Sequence, residues 1–144
     1  MKLKYQVSTL EQSRNLKALG IIQDYPYMNF RWFTGDTGNN IDHLIAAIKP
    51  YEVDCCTFAA FTISEIDAML PLTIEGRDWY MRRCWRGYSF GYNGDIVGLE
   101  HIQQDFFKNE TEARADLLIQ LLEKKIITVE ECNQKLKNTQ DEAK

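Results

Sequence analysis

Residues Arg77–Tyr92 read RDWYMRRCWRGYSFGY, and the fold is most readily predicted from this stretch outward. It contains four arginines and six aromatic residues within sixteen positions. If the segment from Trp79 to Trp85 is extended, its side chains alternate between the two faces of a sheet. One face then carries Trp79, Met81, Arg83 and Trp85, and the other carries Tyr80, Arg82, Cys84 and Arg86.

This alternation supports two interpretations, which are compatible because only one face has to join the core. In the first, Trp79, Met81 and Trp85 are buried, and the face with tyrosine and arginine lies in water. In the second, that polar face binds a ligand, because arginine holds phosphates and carboxylates bidentately, and tyrosine stacks on bases or anchors protein interfaces. The candidate ligand-binding residues are Tyr80, Arg82, Arg86 and Tyr88.

A hairpin signal follows this stretch directly. Asn93-Gly94 lies between two alternating segments, and both residues accept the positive φ of a type I′ turn. The pattern predicts that Tyr88–Tyr92 pairs antiparallel with the residues from Asp95 to about Ile102.

Further strands are predicted upstream from apolar alternation and β-branched or aromatic residues. The N-terminal segment Leu3–Val7 and the segment Met28–Phe33 each alternate with a period of two. Val53–Phe61 is small and apolar, which is typical of a strand buried on both faces. The segment Ile41–Ile48 fits a strand or a helix equally well.

Four helices are predicted from their start signals. A Ser, Thr or Asn is followed three residues later by Glu, which is the pattern of a capping box. The four pairs are Ser8 with Glu11, Thr62 with Glu65, Asn109 with Glu112, and Thr128 with Glu131. The first helix is expected to end at Gly20, a C′ glycine.

The helix predicted over Asn109–Ile127 has the clearest apolar periodicity in the chain. Five residues recur at helical spacing and are expected to be buried: Ala113, Leu117, Leu118, Leu121 and Leu122. The last helix is expected to be short, and Asn138–Lys144 is predicted to be a disordered tail.

These elements predict an α+β fold. No strand–helix–strand alternation runs through the chain, which disfavours a doubly wound sheet. We expect one domain over residues 1–137, with an antiparallel sheet and a central hairpin packed against the C-terminal helix. Short N-terminal and middle helices complete this prediction.

Composition limits the possible functions. The chain has 144 residues and a formal net charge of −4, whereas a duplex-DNA binder needs a basic footprint. The first residues lack the apolar run of a signal peptide, and no apolar run reaches the roughly 18 residues that span a bilayer. We therefore expect a cytoplasmic protein without a membrane partner, in which the four cysteines are reduced.

Signatures of catalysis and cofactor binding are missing from the sequence. The two histidines, His43 and His101, have no neighbouring ligands at zinc-site spacing. The glycine-rich segment Gly35–Gly38 lacks the lysine of a phosphate-binding loop. We therefore predict no catalytic residue, no metal and no cofactor, and an enzyme is the less favoured class.

Three segments resemble a known group of proteins. They are TLEQSRNLKALGI at Thr9–Ile21, CTFAAFTISEIDAMLP at Cys56–Pro71, and ETEARADLLIQLLEKKIIT at Glu110–Thr128. Together they resemble small uncharacterised proteins carried by bacteriophages and mobile elements. That group has no assigned activity, so the resemblance assigns no catalytic role to any residue.

The resemblance implies a non-catalytic binding protein that counters bacterial immunity. Such a protein sequesters a nucleotide signal or occludes a host defence protein, here through the surface with Tyr80 and Arg82. A host protein with a basic groove would instead meet an acidic surface, for which the candidates are Glu110, Glu112 and Asp116. Two alternatives stay open: a structural or assembly protein that forms a homo-oligomer, and a small nucleotide-processing hydrolase.

Overall fold

The computed structural model describes residues 3–23, 30–34, 42–46, 57–85, 87–92 and 107–142. Within these ranges the chain has an α+β fold, as predicted. The helices are α1 (Leu10–Leu19), α2 (Ile63–Met69), α3 (Glu110–Glu123) and α4 (Val129–Glu142). The strands are β1 (Phe30–Thr34), β2 (Asp42–Ala46), β3 (Thr57–Ala60), β4 (Thr73–Ile74), β5 (Arg77–Cys84) and β6 (Gly87–Tyr92).

The strands form two antiparallel sheets. The first has the order β2-β1-β3, with Trp32 paired to Leu44 on one side and to Phe58 on the other. The segment Ile41–Ile48, which the sequence left open, therefore contains a strand, and β1 and β3 lie in or overlap two of the predicted strands. The second sheet has the order β4-β5-β6.

The chain reverses direction between β5 and β6, where Cys84 pairs with Gly87. Gly87 has a φ of 123°, which favours glycine. On the edge of β6 that faces away from β5, Tyr88 forms an antiparallel bridge with Phe107. Each of these two residues donates its N–H to the carbonyl of the other at 2.8 Å. The hairpin predicted at Asn93-Gly94 lies outside the described residues.

The N-terminal strand prediction is wrong. Residues Leu3–Tyr5 form a short 3₁₀ turn, and only Val7 makes an antiparallel bridge, with Thr62. Alternation over five residues is a weak strand signal, and here Tyr5 is exposed while Val7 is buried.

Helix α1 begins one residue later than predicted. Thr9, not Ser8, is the N-cap, and it forms a reciprocal capping box with Gln12. Ser8 is occupied elsewhere, because its Oγ accepts the N–H of Phe61 at 3.0 Å and lies 2.8 Å from the Oγ of Ser13. The helix ends at Gly20 with a φ of 107°, as predicted.

The other helix starts agree with the sequence. Thr62 and Glu65 form the predicted capping box of α2, Asn109 accepts the N–H of Glu112, and Thr128 accepts the N–H of Glu131. At the C-terminus, α4 continues as helix through Glu142, whereas the sequence predicts a disordered tail from Asn138 onward.

Helix α3 lies at the centre of the core. All five of its predicted core residues are buried, and Leu118 and Leu121 are fully so. The helix contacts α1, α2 and β6. It therefore covers the β6 side of the second sheet, and this off-centre position determines what β5 leaves exposed.

Candidate functional site

The structure separates two of the predicted ligand-binding residues. In the β5–β6 register, Tyr80 pairs with Gly91, whereas Tyr88 pairs with Arg83. Directly paired residues share a face and successive residues alternate, so Tyr80 and Tyr88 lie on opposite faces of the hairpin. Arg82 pairs with Ser89, but its side chain lies outside the described residues, as does all of Arg86.

Tyr80 and Tyr88 also have different surroundings. The ring of Tyr80 covers Gly91, since a Cβ built on that glycine would lie 3.0 Å from the phenol oxygen. Tyr88 is half-buried and packs against the core, and the guanidinium carbon of Arg83 lies 5.7 Å from its ring centre. The two phenols therefore do not form one binding surface.

The three acidic candidates are divided as well. Glu112 and Asp116 are one helical turn apart, and Asp116 accepts a hydrogen bond from Gln120. Glu110 lies two residues before Glu112, about 200° around the axis, and pairs with Arg114 at 3.6 Å. Desolvation raises the pKa of Glu112, and the nearby Asp116 adds to this effect.

The prediction that Trp79, Met81 and Trp85 join the core is wrong. Their exposed fractions are 45%, 44% and 89%. Trp79 and Met81 do share a face with the buried residues Tyr92 and Phe90. However, α3 packs over β6, so the β5 half of this face extends past the helix. Alternation correctly predicted which residues share a face, but it does not reveal how far the covering helix reaches.

Apolar and cationic side chains are thus exposed along β5 and in the segments next to it, and this set is here named the β5 surface. Arg83 lies on the same face as Trp79 and Met81 and is exposed. Leu72, in the loop before β4, is 80% exposed and lines a cleft together with Trp79. The β5 surface consists of Leu72, Trp79, Met81, Arg83 and Trp85.

A cleft of about 130 Å³ lies at one end of the β5 surface, here named the Trp79 cleft. Trp79 and Phe90 form one wall, with their ring centres 5.9 Å apart and their planes 25° apart. Leu70 and Leu117 contribute apolar side chains from the end of α2 and from α3. Such a lining suits an apolar group.

Arg114 contacts three of the elements that line the Trp79 cleft. Its Nη1 pairs with Asp67, and its guanidinium carbon lies 4.6 Å from the ring centre of Phe90 and 5.8 Å from that of Trp79. A guanidinium group near aromatic faces is attracted by their quadrupoles. The arginine thus connects α3 with the end of α2 and with the sheet.

Tyr92 anchors the loop between α2 and β4, which also lines the Trp79 cleft. Its hydroxyl donates to the carbonyl oxygen of Pro71 at 2.6 Å. Burial, with a smaller contribution from the charge of Asp67, raises the pKa of the Tyr92 phenol well above its usual range. The phenol therefore stays protonated at neutral pH and keeps donating this hydrogen bond.

Sequence reasoning missed Asp67, Leu72 and Arg114. A signal for Arg114 was present, because it precedes Leu117 by three residues and Leu118 by four, within the apolar stripe of α3. A cation at such a position needs a partner, and Asp67 of α2 supplies it. No comparable signal marks Leu72, whose exposure depends on the path of its loop.

Comparison of the chain with models of known protein families, with curated proteins and with solved structures finds no match. Among the described residues, no group of three or more His, Cys, Asp or Glu side chains is placed to hold a metal ion. None of the helices in the described ranges combines the length and apolar character needed to cross a bilayer.

Proposed function

We propose that this chain is a non-catalytic binding protein that occludes a host defence protein in the bacterial cytoplasm, with the β5 surface as its contact. The phage context of this proposal comes from the sequence resemblance described above. The main observation in support of a binding role is that Trp79, Met81 and Trp85 are exposed on one strand and its adjoining turn. Tryptophan, methionine and arginine are enriched in protein interfaces, and tryptophan and arginine dominate their hot spots.

The size of the Trp79 cleft favours a protein partner over a nucleotide at this surface. Pockets for small molecules have volumes of about 300–1,000 Å³, whereas this cleft has about 130 Å³. That volume suits one apolar side chain of a partner, with Met81, Arg83 and Trp85 around it as the flanking contact.

Charge indicates the chemistry of the partner surface. The chain carries a net charge of −4, yet Arg77–Tyr92 contains four of its arginines. Arg83 adds an exposed positive charge on the same face of β5 as Trp79. An acidic patch with an apolar anchor therefore complements the β5 surface, and complementary charge accelerates association as well as selecting partners.

Site-specific crosslinking in bacterial cells tests this proposal. A photoreactive benzoylphenylalanine replaces Met81 in one variant and the exposed Lys137 of α4 in a control variant. The expected result is one heterologous host protein crosslinked at position 81 and not at position 137. Crosslinking of the chain to itself at position 81 would instead support the homo-oligomer alternative. That result, or equal crosslinking at both positions, would contradict the proposal.

A further inference from the structure

A second concave site lies away from the Trp79 cleft and is not used by the proposed function. It is a groove of about 440 Å³, here named the Thr111 groove. Its aromatic lining comes from Tyr5, Phe30 and Tyr88, and its polar lining includes Lys108 and the first residues of α3. This volume lies within the range of small-molecule sites.

The N-terminus of α3 provides donors at this groove. α3 is 14 residues long, and Asn109, Glu110 and Thr111 all line the groove. The side chain of Asn109 accepts the N–H of Glu112, so the N–H groups of Glu110 and Thr111 have no acceptor within the helix. Unsatisfied N–H groups and the positive end of the helix dipole favour an anion.

Thr111 gives an independent indication of a ligand. Its side chain is buried, with 1% of the residue exposed, and its hydroxyl has no hydrogen-bond partner among the described residues. A buried hydroxyl that loses its water partners without gaining a new one destabilises the folded state. Valine would fill the same space without that cost. Thr111 is among the residues that line the groove, so we assign a group bound there as the partner of this hydroxyl.

Among the described residues, Glu110 is the one carboxylate in the lining, and its charge opposes an anion. Its Oε2 lies 3.6 Å from Nη2 of Arg114, and this ion pair offsets the negative charge. Lys108 immediately precedes the helix cap and is exposed. Its positive charge acts on this end of α3, where it lowers the pKa of Glu112 against the larger effect of desolvation.

We infer that the Thr111 groove binds a mononucleotide, with the phosphate at the N-terminus of α3 beside Lys108 and the base against the aromatic residues. Phosphate suits the N–H groups, the Thr111 hydroxyl and the ammonium group. A planar base suits Tyr5 and Tyr88, because stacking on aromatic rings tolerates any base.

Isothermal titration of the full chain with AMP, adenosine and inorganic phosphate tests this inference. AMP is expected to bind at least tenfold more tightly than either fragment, because only AMP engages both parts of the groove. Absence of AMP binding at millimolar concentration would overturn the inference. Phosphate binding as tightly as AMP would overturn the assignment to a nucleotide.

The variant Thr111→Val separates a binding role from a structural one. It replaces the hydroxyl by a methyl group and changes no other atom of the side chain. The variant is therefore expected to weaken AMP binding at least fivefold, while the unliganded protein unfolds at the same or a higher temperature. Lys108→Gln is expected to weaken AMP binding similarly, with the exposed Lys137→Gln as its control. Unchanged AMP affinity in Thr111→Val and Lys108→Gln would contradict the site.

Discussion

Arg114 of α3 stacks on Phe90 of β6, with its guanidinium carbon 4.6 Å from the ring centre, and pairs with Asp67 of α2. One side chain thus connects three elements around the Trp79 cleft. Because Asp67 is partly exposed, solvent weakens the ion pair. Packing and cation–π contact should therefore contribute more to stability than the charge pair does.

Replacement of each partner separates these two contributions. Arg114→Ala is expected to lower the free energy of unfolding by about 1–3 kcal/mol, since it removes the aliphatic stem as well as the charge. Asp67→Asn is expected to cost less than about 1 kcal/mol. Urea denaturation measures both, and an equal loss in the two variants would contradict the greater weight given to stacking.

Leu118 reports on the core around α3. It is fully buried, so Leu118→Ala is expected to lower the free energy of unfolding by about 2–5 kcal/mol through lost transfer energy and the cavity left behind. Glu123→Ala, at the exposed end of the same helix, serves as the control and is expected to change stability by less than about 0.5 kcal/mol. Similar denaturation midpoints for both variants would contradict the packing of α3.

Position 87 requires a glycine for two reasons, a positive φ and the close approach of the Phe107 backbone. Its φ is 123°, and a Cβ at this position would collide with the backbone carbonyl of Phe107. Gly76 has a φ of 75°, but in the described part of the chain no atom lies within 4 Å of such a Cβ. Gly87→Ala is therefore expected to cost at least about 2 kcal/mol, and Gly76→Ala only about 1 kcal/mol. Thermal unfolding compares the two, and an equal loss would contradict the close approach of Phe107.

Glu65 makes stability depend on pH. Desolvation raises its pKa to about 7, although the hydrogen bond from the Thr62 N–H opposes the shift. Between the unfolded value of 4.5 and about 7, the folded state therefore holds more protons than the unfolded state. The free energy of unfolding should then fall as pH rises through this window, by on the order of 3 kcal/mol.

Glu65→Gln tests this origin of the pH dependence. The amide oxygen can still accept from Thr62, while the buried Oε2, which has no partner in the described structure, is replaced by an amide nitrogen. We expect the variant to be more stable than the parent at about pH 8 and to show a flatter stability profile between about pH 4 and pH 8. Urea titrations across this range measure it, and parallel profiles would rule out Glu65 as the cause.

Local chemistry in the sequence predicted much of the scaffold. The capping pairs at Thr62 and Asn109, the C′ glycine Gly20 and the apolar stripe of α3 depend on residues close together in the chain. The N-cap of the first helix was misplaced by one residue for the same reason, because Ser8 and Thr9 both match a local capping pattern. Ser8 instead bonds Phe61, a partner distant in sequence.

The candidate site was less predictable because it depends on packing between distant segments. Alternation placed Trp79 and Met81 on one face, but the position of α3 over β6 decided that they would be exposed. The register that separates Tyr80 from Tyr88 depends on how β5 pairs with β6. Cys132, which the sequence predicts to be reduced, is buried, and burial raises the pKa of its thiol to about 11.

Binding of the partner through the β5 surface can be measured with purified proteins. The host protein that is captured by crosslinking at position 81 is first identified and purified. Isothermal titration then compares its affinity for the parent chain with its affinity for the double variant Trp79→Ala/Trp85→Ala. A loss of about 30-fold or more, corresponding to a hot spot of at least about 2 kcal/mol, is predicted, with Lys137→Ala unchanged as control. An affinity equal to that of the parent in a correctly folded double variant would contradict the claim.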